Sequence, residues 1–397
     1  MNYFNNYRCT RCGQEYEPDR VKYLCPVCSK DYQPGMPLPG ILECVFDYAR
    51  IAIAWQEFCI AFPSANPSQK IEELCELFSP LNKEYYPNLP VGNTPLICSQ
   101  SLVGESLYLK FDGVNPSGSY KDRASNLVVA EAKRLGIKEI VTASTGNAAA
   151  SLAALCAAAG IKAVIFAPAK APPAKLVQIK IHKAELHLVE GTYDDAFAAA
   201  LAYSATHECL NRNTAYHPFT IEGKKTGGLE LYAQLGVVPD YIFVPTGDGV
   251  ILCGIAKAFY DLKEAGIADR LPILVAAQSE SSDAITSYWE TGVYKDAAKP
   301  QTVADSISVK TPSAAHLALK VLKDTKGMGI RVSDEEILSA QKMLASRTGI
   351  FCEPSSAATL AAYFQAREHA LIKDQAIVVL MLTGHGLKDI NAVKFDD

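Results

Sequence analysis

The feature that most constrains the fold is an alternation of short apolar runs and longer helix-like stretches over most of the chain. Residues 138–143 and 162–166 are predicted strands, residues 273–277 and 376–382 are apolar runs of strand length, and the alanine-rich stretch 148–159 has helical length. Strands that are apolar on both faces belong to parallel sheets with helices packed on each side. The alternation therefore predicts an α/β fold with parallel-rich sheets, and 397 residues are enough for two or three domains.

Four cysteines near the amino end form two C-x-x-C pairs, Cys9 with Cys12 and Cys25 with Cys28. Each pair places two thiolates on one turn, and four thiolates in a tetrahedron are preferred ligands of structural zinc. The spacing predicts a zinc ribbon over residues 1–33; a ribbon without its metal and a redox-active pair are the alternatives. The remaining cysteines are scattered through apolar stretches, which favours a reducing, cytoplasmic compartment.

Charge and hydropathy argue against several classes of protein. The chain has 38 Lys and Arg against 43 Asp and Glu, a net charge of −5, so we expect no nucleic-acid partner. Every long apolar stretch is interrupted by charged or turn residues, so we expect no membrane span. Residues 1–10 lack an apolar core, so we expect no secretory signal there.

The first candidate for chemistry is Lys121, which follows a glycine-containing loop and starts a predicted helix. The positive end of a helix dipole disfavours a further positive charge. This position therefore favours the neutral amine that attacks carbonyl groups. From spacing alone, a surface lysine in a turn is the alternative.

Three more loops follow predicted strands. Residues 142–147 and 245–249 combine small side chains with backbone N–H groups at a helix start, which suits a carboxylate or a phosphate. The carboxylate of Asp248 would repel a phosphate, so we expect its side chain to point away from the loop. Thr383 would lie at the carboxyl end of the last strand, where open α/β sheets bind ligands. Taken singly, each loop is also compatible with a simple turn.

Together these loops resemble, in order and spacing, the fold type II family of pyridoxal-phosphate (PLP) enzymes, and most closely its threonine synthase branch. The resemblance extends over nearly the whole chain, from the cysteine ribbon through residues 91–96 to residues 384–389. It implies a tryptophan synthase β-like fold with two α/β domains beside the ribbon. The small domain would span 124–217, and the large cofactor-binding domain would span 34–123 and 218–397. By analogy, a homodimer is expected.

The resemblance also implies residue roles. Lys121 would form the Schiff base with the cofactor, Asn147 would hydrogen-bond its 3′-oxygen, and Thr383 would face its pyridine nitrogen. The cofactor phosphate would be held by Thr246, Gly247, Asp248 and Gly249. The substrate carboxylate would be received by Ser144, Thr145, Gly146, Asn147 and Ala148. The reaction of the branch is a lyase-type loss of phosphate from O-phosphohomoserine, followed by addition of water to give threonine.

One departure concerns the group that holds the substrate phosphate. The branch usually has an asparagine and an arginine just before a Glu-Gly-x-Lys-Thr stretch, here residues 222–226, and the arginine position is Thr220. A lysine or histidine is not equivalent to a bidentate arginine. The remaining candidates are Lys224, His217, Ser144 and Thr145, with Lys225 in reserve. Lys224 paired with Glu222 or Glu230 is the structural alternative.

Two other functions remain open at this point. The missing arginine favours a serine/threonine dehydratase-like lyase that acts on an uncharged amino acid. A non-catalytic binding protein with a relict cofactor site is the second alternative, but such a protein would have no need of Lys121.

Overall fold

The computed structural model describes residues 2–103, 107–171 and 173–393. The chain divides into two compact units. Unit 1 contains Met1–Gly92, Asn115–Ser117 and Lys121–Thr226, and unit 2 contains Asn93–Val114, Gly118–Tyr120 and Gly227–Asp397. Each unit is built around its own parallel sheet.

The elements of the amino-terminal half, in chain order, are β1 (Phe4–Cys9), β2 (Glu15–Tyr16), β3 (Leu42–Phe46), α1 (Tyr48–Ala61), α2 (Pro67–Leu77), β4 (Leu96–Cys98), α3 (Gln100–Val103), β5 (Leu107–Phe111), α4 (Lys121–Leu135), β6 (Glu139–Ala143), α5 (Asn147–Ala159), β7 (Lys162–Pro168), α6 (Pro173–Lys180), β8 (Glu185–Val189), α7 (Tyr193–Thr206) and β9 (Leu210–Asn211). The elements that follow are α8 (Pro218–Leu235), β10 (Tyr241–Pro245), α9 (Val250–Glu264), β11 (Ile273–Ser279), α10 (Ala284–Thr291), α11 (Ala315–Asp324), β12 (Met328–Val332), α12 (Asp334–Thr348), α13 (Pro354–Glu368) and β13 (Val378–Leu382). No described helix is both long enough and apolar enough to cross a membrane.

Unit 1 contains two sheets. The amino-terminal residues form a three-stranded antiparallel sheet in the order β2-β1-β3, in which Tyr7 lies opposite Cys44. A second sheet, in the order β8-β7-β6-β9, is parallel throughout. Val141, Val164 and Phe166 of its strands pack against Phe197 and other apolar residues of α7, and this packing buries one face of the sheet.

The large sheet of unit 2 has six strands in the order β12-β11-β10-β13-β5-β4. All neighbouring strands are parallel except β4, which lies antiparallel to β5 at one edge. Apolar residues of β10, β11 and β13 pack against α12 and α13 in one large buried cluster. Because α-helices cover parallel strands, β10 and β13 are apolar throughout and β11 is apolar as far as Ala277.

The compact units divide the chain differently from the predicted domain boundaries. The ribbon does not stand alone over residues 1–33, since β1 pairs with β3. The first 92 residues, predicted in part as large domain, group with the four-stranded sheet, and so do residues 218–226. Aromatic contacts are the physical reason: Phe4 and Tyr7 of β1 pack on Phe219, with ring centroids 6.4 and 6.2 Å apart.

Candidate active site

In unit 2, three candidate loops leave the same edge of the six-stranded sheet. Strands β5, β13 and β10 are parallel neighbours, so the segments after their carboxyl ends emerge side by side. The N–H of Tyr120 donates to the carbonyl of Thr383 at 2.8 Å, and the N–H of His385 donates to the carbonyl of Gly118 at 3.0 Å. The residues that precede Lys121 are therefore fixed to the loop that carries Thr383.

The side chain of Thr383 is buried and faces a second hydroxyl. Its Oγ1 lies 3.3 Å from Oγ of Ser356 in the first turn of α13. The Ser356 hydroxyl also accepts a hydrogen bond from the Gly384 N–H at 3.0 Å. The structure therefore places a pair of hydroxyls at this point of the edge, and the buried carboxylate of Glu353 packs against Gly384 beside them. Ser356 carried no predicted role.

The loop after β10 is close-packed and needs its glycines. A Cβ on Gly247 would lie 2.9 Å from Cα of Ile307, and Gly249 has a φ of +83°. The neighbouring Thr246 hydroxyl donates to the carbonyl of Val244 at 2.8 Å. Packing inside unit 2 and the positive φ thus require these glycines, and the hydroxyl hydrogen of Thr246 is used inside the protein.

Asp248 does not point away from the loop as expected. Its Oδ1 accepts a hydrogen bond from the N–H of Val250, the first residue of α9, at 3.1 Å. The carbonyl of Asp248 accepts from the Ala314 N–H at 3.0 Å. Short acidic side chains favour this local bond to the backbone, because it satisfies an N–H that the helix itself leaves unpaired. An internal carboxylate therefore occupies one of the donors that a phosphate would use.

In unit 1, Asn147 begins α5 directly after the carboxyl end of β6. Gly146 caps this helix and has no side chain to occupy the first N–H groups. A Cβ at Gly146 would meet nothing within 4 Å, so the approach to the helix start is open on that side. The Ser144 hydroxyl accepts from the Gly146 N–H at 3.2 Å and shapes the turn. Residues 144–148 therefore place small side chains and backbone N–H groups at a helix start, an arrangement that suits an anion.

Asn213 adds a buried donor that the sequence analysis missed. Its Oδ1 accepts from the Thr142 hydroxyl at 2.9 Å and from the Ala143 N–H at 2.6 Å. These two donors fix the orientation of the amide, because only its oxygen can accept them. The Nδ2 group is buried and finds no hydrogen-bond partner within the described part of the chain. An unsatisfied buried donor costs about 1–3 kcal/mol, so the arrangement favours a ligand with an acceptor oxygen.

Arg212 was also missed, and it connects three elements. It follows β9, its side chain is 2% exposed, and its Nε donates to the Ser125 hydroxyl of α4 at 3.1 Å. The same hydroxyl accepts from Ser151 of α5 at 2.7 Å, and Nη2 of Arg212 lies 3.4 Å from the carbonyl of Lys121. One guanidinium thus links the helix that begins at Lys121 to the helix that begins at Asn147.

Lys121 is the first residue of α4 and is partly exposed. The next residue, Asp122, is fully buried, and its carboxylate accepts from the N–H and the hydroxyl of Ser117. The turn before the helix is thereby closed, which fixes the direction in which the lysine leaves the backbone.

The predicted cations for a second anion have different surroundings. His217 is 2% exposed, and its Nδ1 accepts from the Phe219 N–H at 3.1 Å. Burial, with a smaller contribution from the Lys22 charge, lowers the pKa of His217 to about 3. Lys225 pairs with Glu222 at 2.6 Å and lies 4.1 Å from the centroid of the Phe46 ring. His217 is therefore neutral at physiological pH, and Lys225 is held in a structural pair.

Lys224 and Thr220 are buried in α8. The Thr220 hydroxyl donates to the His217 carbonyl at 2.9 Å, so it serves the first turn of the helix. Lys224 is 1% exposed, and a pairing with Glu222 or Glu230 remains the alternative to its predicted role at a second anion.

The four ribbon cysteines converge. The sulfurs of Cys9, Cys12, Cys25 and Cys28 all lie within 4.8 Å of one another. Gly40 approaches them so closely that a Cβ there would lie 2.6 Å from the Cβ of Cys28. The Tyr16 hydroxyl lies 3.1 Å from the Cys25 sulfur. Four sulfurs at such distances are compatible with binding a metal ion.

The sequence contains a signal for Arg212 and Asn213, the two residues that were not predicted. Asn211-Arg212-Asn213 is a polar triplet directly after the apolar pair Cys209-Leu210. A helix was predicted over 193–209, whereas α7 ends at Thr206 and a two-residue strand follows. A strand there would have placed the triplet at the carboxyl edge of a sheet.

Residues 88–384 match the family described as pyridoxal-phosphate dependent enzyme. The chain is 34% identical to a threonine synthase of Methanosarcina acetivorans over 394 residues, covering 97% of this chain and 93% of that protein. It is 32% identical to a threonine synthase of Methanocaldococcus jannaschii with the same coverage. Among solved structures, the serine racemase of Dictyostelium discoideum has a TM-score of 0.66 and 25% identity, covering 81% of this chain and 98% of that one. The α/β fold and the family expected from the loops are confirmed, and the chain belongs to the pyridoxal-phosphate dependent enzymes.

Proposed function

We propose that this enzyme is a threonine synthase, which removes phosphate from O-phosphohomoserine and adds water to give L-threonine. The observation that carries the proposal is the identity of 34% and 32% to two threonine synthases over 97% of this chain. Because the coverage includes 93% of each relative, the likeness is not confined to a shared cofactor domain.

The donor set of the structure fits a phosphorylated, oxygen-rich cofactor. In unit 2 the buried hydroxyls of Ser119 and Ser313 have no hydrogen-bond partner among the residues described, and the loop 246–249 leads into the start of α9. We assign Lys121 to the Schiff base, Asn147 to the 3′-oxygen, residues 246–249 to the phosphate and Thr383 to the pyridine nitrogen. A phosphate at the start of α9 would share this end of the helix with the Asp248 carboxylate, which already accepts from the Val250 N–H.

Different residues of the chain are assigned to different steps of the reaction. When bound, the cofactor supplies an electron sink that makes the hydrogen on the substrate α-carbon acidic. The Nζ of Lys121, once free, acts as the base that takes this proton and returns protons later. The hydroxyls of Thr383 and Ser356 offer hydrogen bonds without a formal charge, so they do not enforce protonation of the group they face.

The substrate carboxylate is assigned to Ser144, Thr145, Gly146, Asn147 and Ala148, and we add Asn213 to this set. The open approach at Gly146 and the unpaired Nδ2 of Asn213 support the assignment, since both favour an oxyanion at the carboxyl edge of β6. For the leaving phosphate we keep Lys224 as the cation. His217 remains a neutral contact, because its low pKa removes the charge at physiological pH.

A second function is favoured by one specific observation. Thr220 replaces the expected arginine, and neither His217 nor Lys225 replaces its charge. A serine/threonine dehydratase-like lyase needs no second anion site and is therefore the alternative.

Assay of the purified enzyme with O-phosphohomoserine, serine and threonine distinguishes the two. A threonine synthase releases phosphate and forms threonine in equal amounts. A dehydratase forms a 2-oxo acid from serine or threonine and leaves O-phosphohomoserine unchanged.

We also propose that Cys9, Cys12, Cys25 and Cys28 bind one structural zinc ion. The convergence of four sulfurs around Gly40 supports this, because a metal would close a segment too small for a core of its own.

A homodimer, a cytoplasmic location and the absence of a nucleic-acid partner remain parts of the proposal. They rest on the family likeness and on the net charge of −5.

A further inference from the structure

The segment from Cys209 to His217 connects β9 to the start of α8 and carries Arg212 and Asn213. Lys22 and Tyr23 of the ribbon form hydrogen bonds to this segment. The Nζ of Lys22 donates to the Cys209 carbonyl at 3.0 Å, and the hydroxyl of Tyr23 accepts from the Asn211 N–H at 3.0 Å. Both contacts join residues far apart in the sequence but within unit 1.

The bond to Asn211 has a clear structural meaning. Strand β9 is the edge of its sheet, and only its inner side pairs with β6, where the Arg212 N–H donates to the Val141 carbonyl at 2.9 Å. The Asn211 N–H points outward, where an edge strand has no strand partner. Tyr23 supplies the missing acceptor and thereby fixes the outer side of β9 just before Asn213.

The ring of Tyr23 makes a second contact with the same segment. It stacks on Tyr216 with centroids 4.6 Å apart and planes 29° apart. It also meets the His217 ring edge-on at 5.7 Å. One ribbon side chain therefore touches both ends of the stretch that carries the buried donor of Asn213.

The position of Tyr23 depends on the cysteine cluster. It lies two residues before Cys25, whose N–H donates to the Gly40 carbonyl at 2.8 Å. A metal on the four sulfurs would fix the backbone at Cys25 and restrict Tyr23 to one place. Without a metal, the β1 to β3 pairing, the burial of Leu24 and the contacts of Tyr23 itself would remain, and the turn at Cys25 would lose its tie to the other three sulfurs.

We propose that the metal-bound ribbon is a positioning device for the substrate-binding segment, with Tyr23 as its contact. In this view Tyr23 is a positioning residue that touches neither substrate nor cofactor. It keeps residues 211–217 in the geometry that presents Asn213. The inference rests on the proposed metal site and on the proposed function.

The test compares Tyr23→Phe, which keeps the ring and loses the hydroxyl, with Tyr23→Leu, which loses both. The control is Tyr294→Phe, which removes a hydroxyl bonded to Asp296 in unit 2. Loss of one neutral hydrogen bond should raise KM for O-phosphohomoserine about two- to tenfold in Tyr23→Phe, and more in Tyr23→Leu. The kcat, the cofactor absorbance and the zinc content should not change.

Hydrogen exchange gives a readout that needs no turnover. The amide of Asn211 and its neighbours up to residue 217 should exchange faster in both Tyr23 variants and in wild-type protein stripped of metal by a chelator. Measured relative to the rest of unit 1, metal removal should add little over 211–217 in Tyr23→Leu, because both changes act on one contact. The proposal is overturned if exchange over 211–217 is unchanged in the variants, or if metal removal speeds exchange over 211–217, relative to the rest of unit 1, as strongly in Tyr23→Leu as in wild type. If O-phosphohomoserine is not a substrate, the exchange pattern still decides this proposal, whereas the function assignment alone fails.

Discussion

At the scale of single residues, the proposed mechanism depends most on Lys121. The covalent link to the cofactor and the proton transfer are both assigned to its amine. Lys121→Ala is therefore expected to abolish the visible absorbance of the Schiff base and to lower turnover by orders of magnitude. Lys138→Ala, an exposed lysine in unit 1, is the control and should change neither. Substantial activity in Lys121→Ala would move the covalent link to another residue.

Lys224 and Lys225 are neighbours in α8, and we expect their replacement by alanine to have different effects. If Lys224 holds the leaving phosphate, Lys224→Ala should raise KM for O-phosphohomoserine about ten- to a hundredfold and leave the cofactor absorbance intact. Lys225→Ala removes one partner of a buried ion pair with Glu222, so it should instead destabilise the fold by about 3–5 kcal/mol. Steady-state kinetics and urea unfolding separate the two effects. An unchanged KM in Lys224→Ala, with no phosphate released from O-phosphohomoserine, would favour the dehydratase-like alternative.

His217 makes stability depend on pH. Its folded pKa of about 3 lies below the ordinary value of 6.5, so the unfolded chain binds the proton more tightly. The contribution to stability is complete above pH 6.5 and is lost progressively as the pH falls towards about 3. At about pH 5 the loss should be about 2 kcal/mol.

Urea unfolding at about pH 7.5 and about pH 5 tests this expectation. His217→Asn keeps an acceptor for the Phe219 N–H and should show a smaller loss than wild type. The exposed His182, replaced in the same way, should behave as wild type does. Equal losses in all three proteins would mean that His217 is not the group responsible.

At the scale of elements, the Asp248 carboxylate and the proposed cofactor phosphate would both lie at the start of α9. The Asp248 carboxylate caps the Val250 N–H, where the cofactor phosphate is also assigned. Asp248→Asn keeps an oxygen that can accept this bond but removes the negative charge. It should therefore tighten PLP binding about two- to tenfold, as expected for removing repulsion of about 0.5–1.5 kcal/mol. Titration of the apoenzyme with PLP, followed by absorbance, measures the change. Weaker binding in Asp248→Asn would show that the carboxylate helps the cofactor.

Helices and strands were predictable from the sequence where an apolar face alternates with a polar one, or where a glycine marks the end of a helix. The predicted helix over 148–159 begins within one residue of the observed start of α5 and ends where α5 ends. Helix α8 was missed, because nearly all of its residues are buried and no polar face shows the helical period. Strand β9 was missed, because two residues carry no periodicity.

The same reasons limited the prediction of the site. Loops with glycine and a following helix were recognisable, so residues 144–148 and 246–249 were found. The donor of Asn213 depends on which atom meets Thr142 and Ala143, and the link made by Arg212 depends on two helices meeting at Ser125. Neither relation can be read from the order of residues.

At the scale of the whole molecule, the ribbon belongs to the folded body of unit 1. Its strand β1 pairs with β3, and the Cys44 N–H of β3 donates to Glu222 at 3.1 Å, which ties the small sheet to α8. A metal in the ribbon therefore stabilises the same unit that carries Lys121 and Asn147. Loss of the metal is expected to lower the stability of this unit, since binding energy at a structural zinc site is also folding energy.

Two exposed cysteines allow a matched test of the zinc site. Cys12 belongs to the cluster, whereas Cys59 lies on α1 outside it, and both are exposed. Wild type and Cys59→Ser are expected to contain one zinc per chain, and Cys12→Ser to contain little, because three sulfurs leave the tetrahedron incomplete. The Tm of Cys12→Ser should fall, and a chelator should lower the Tm of wild type and Cys59→Ser to the same extent. Elemental analysis and thermal unfolding check both points. Full zinc content in Cys12→Ser, or none in wild type purified with zinc present, would refute a structural role for the metal.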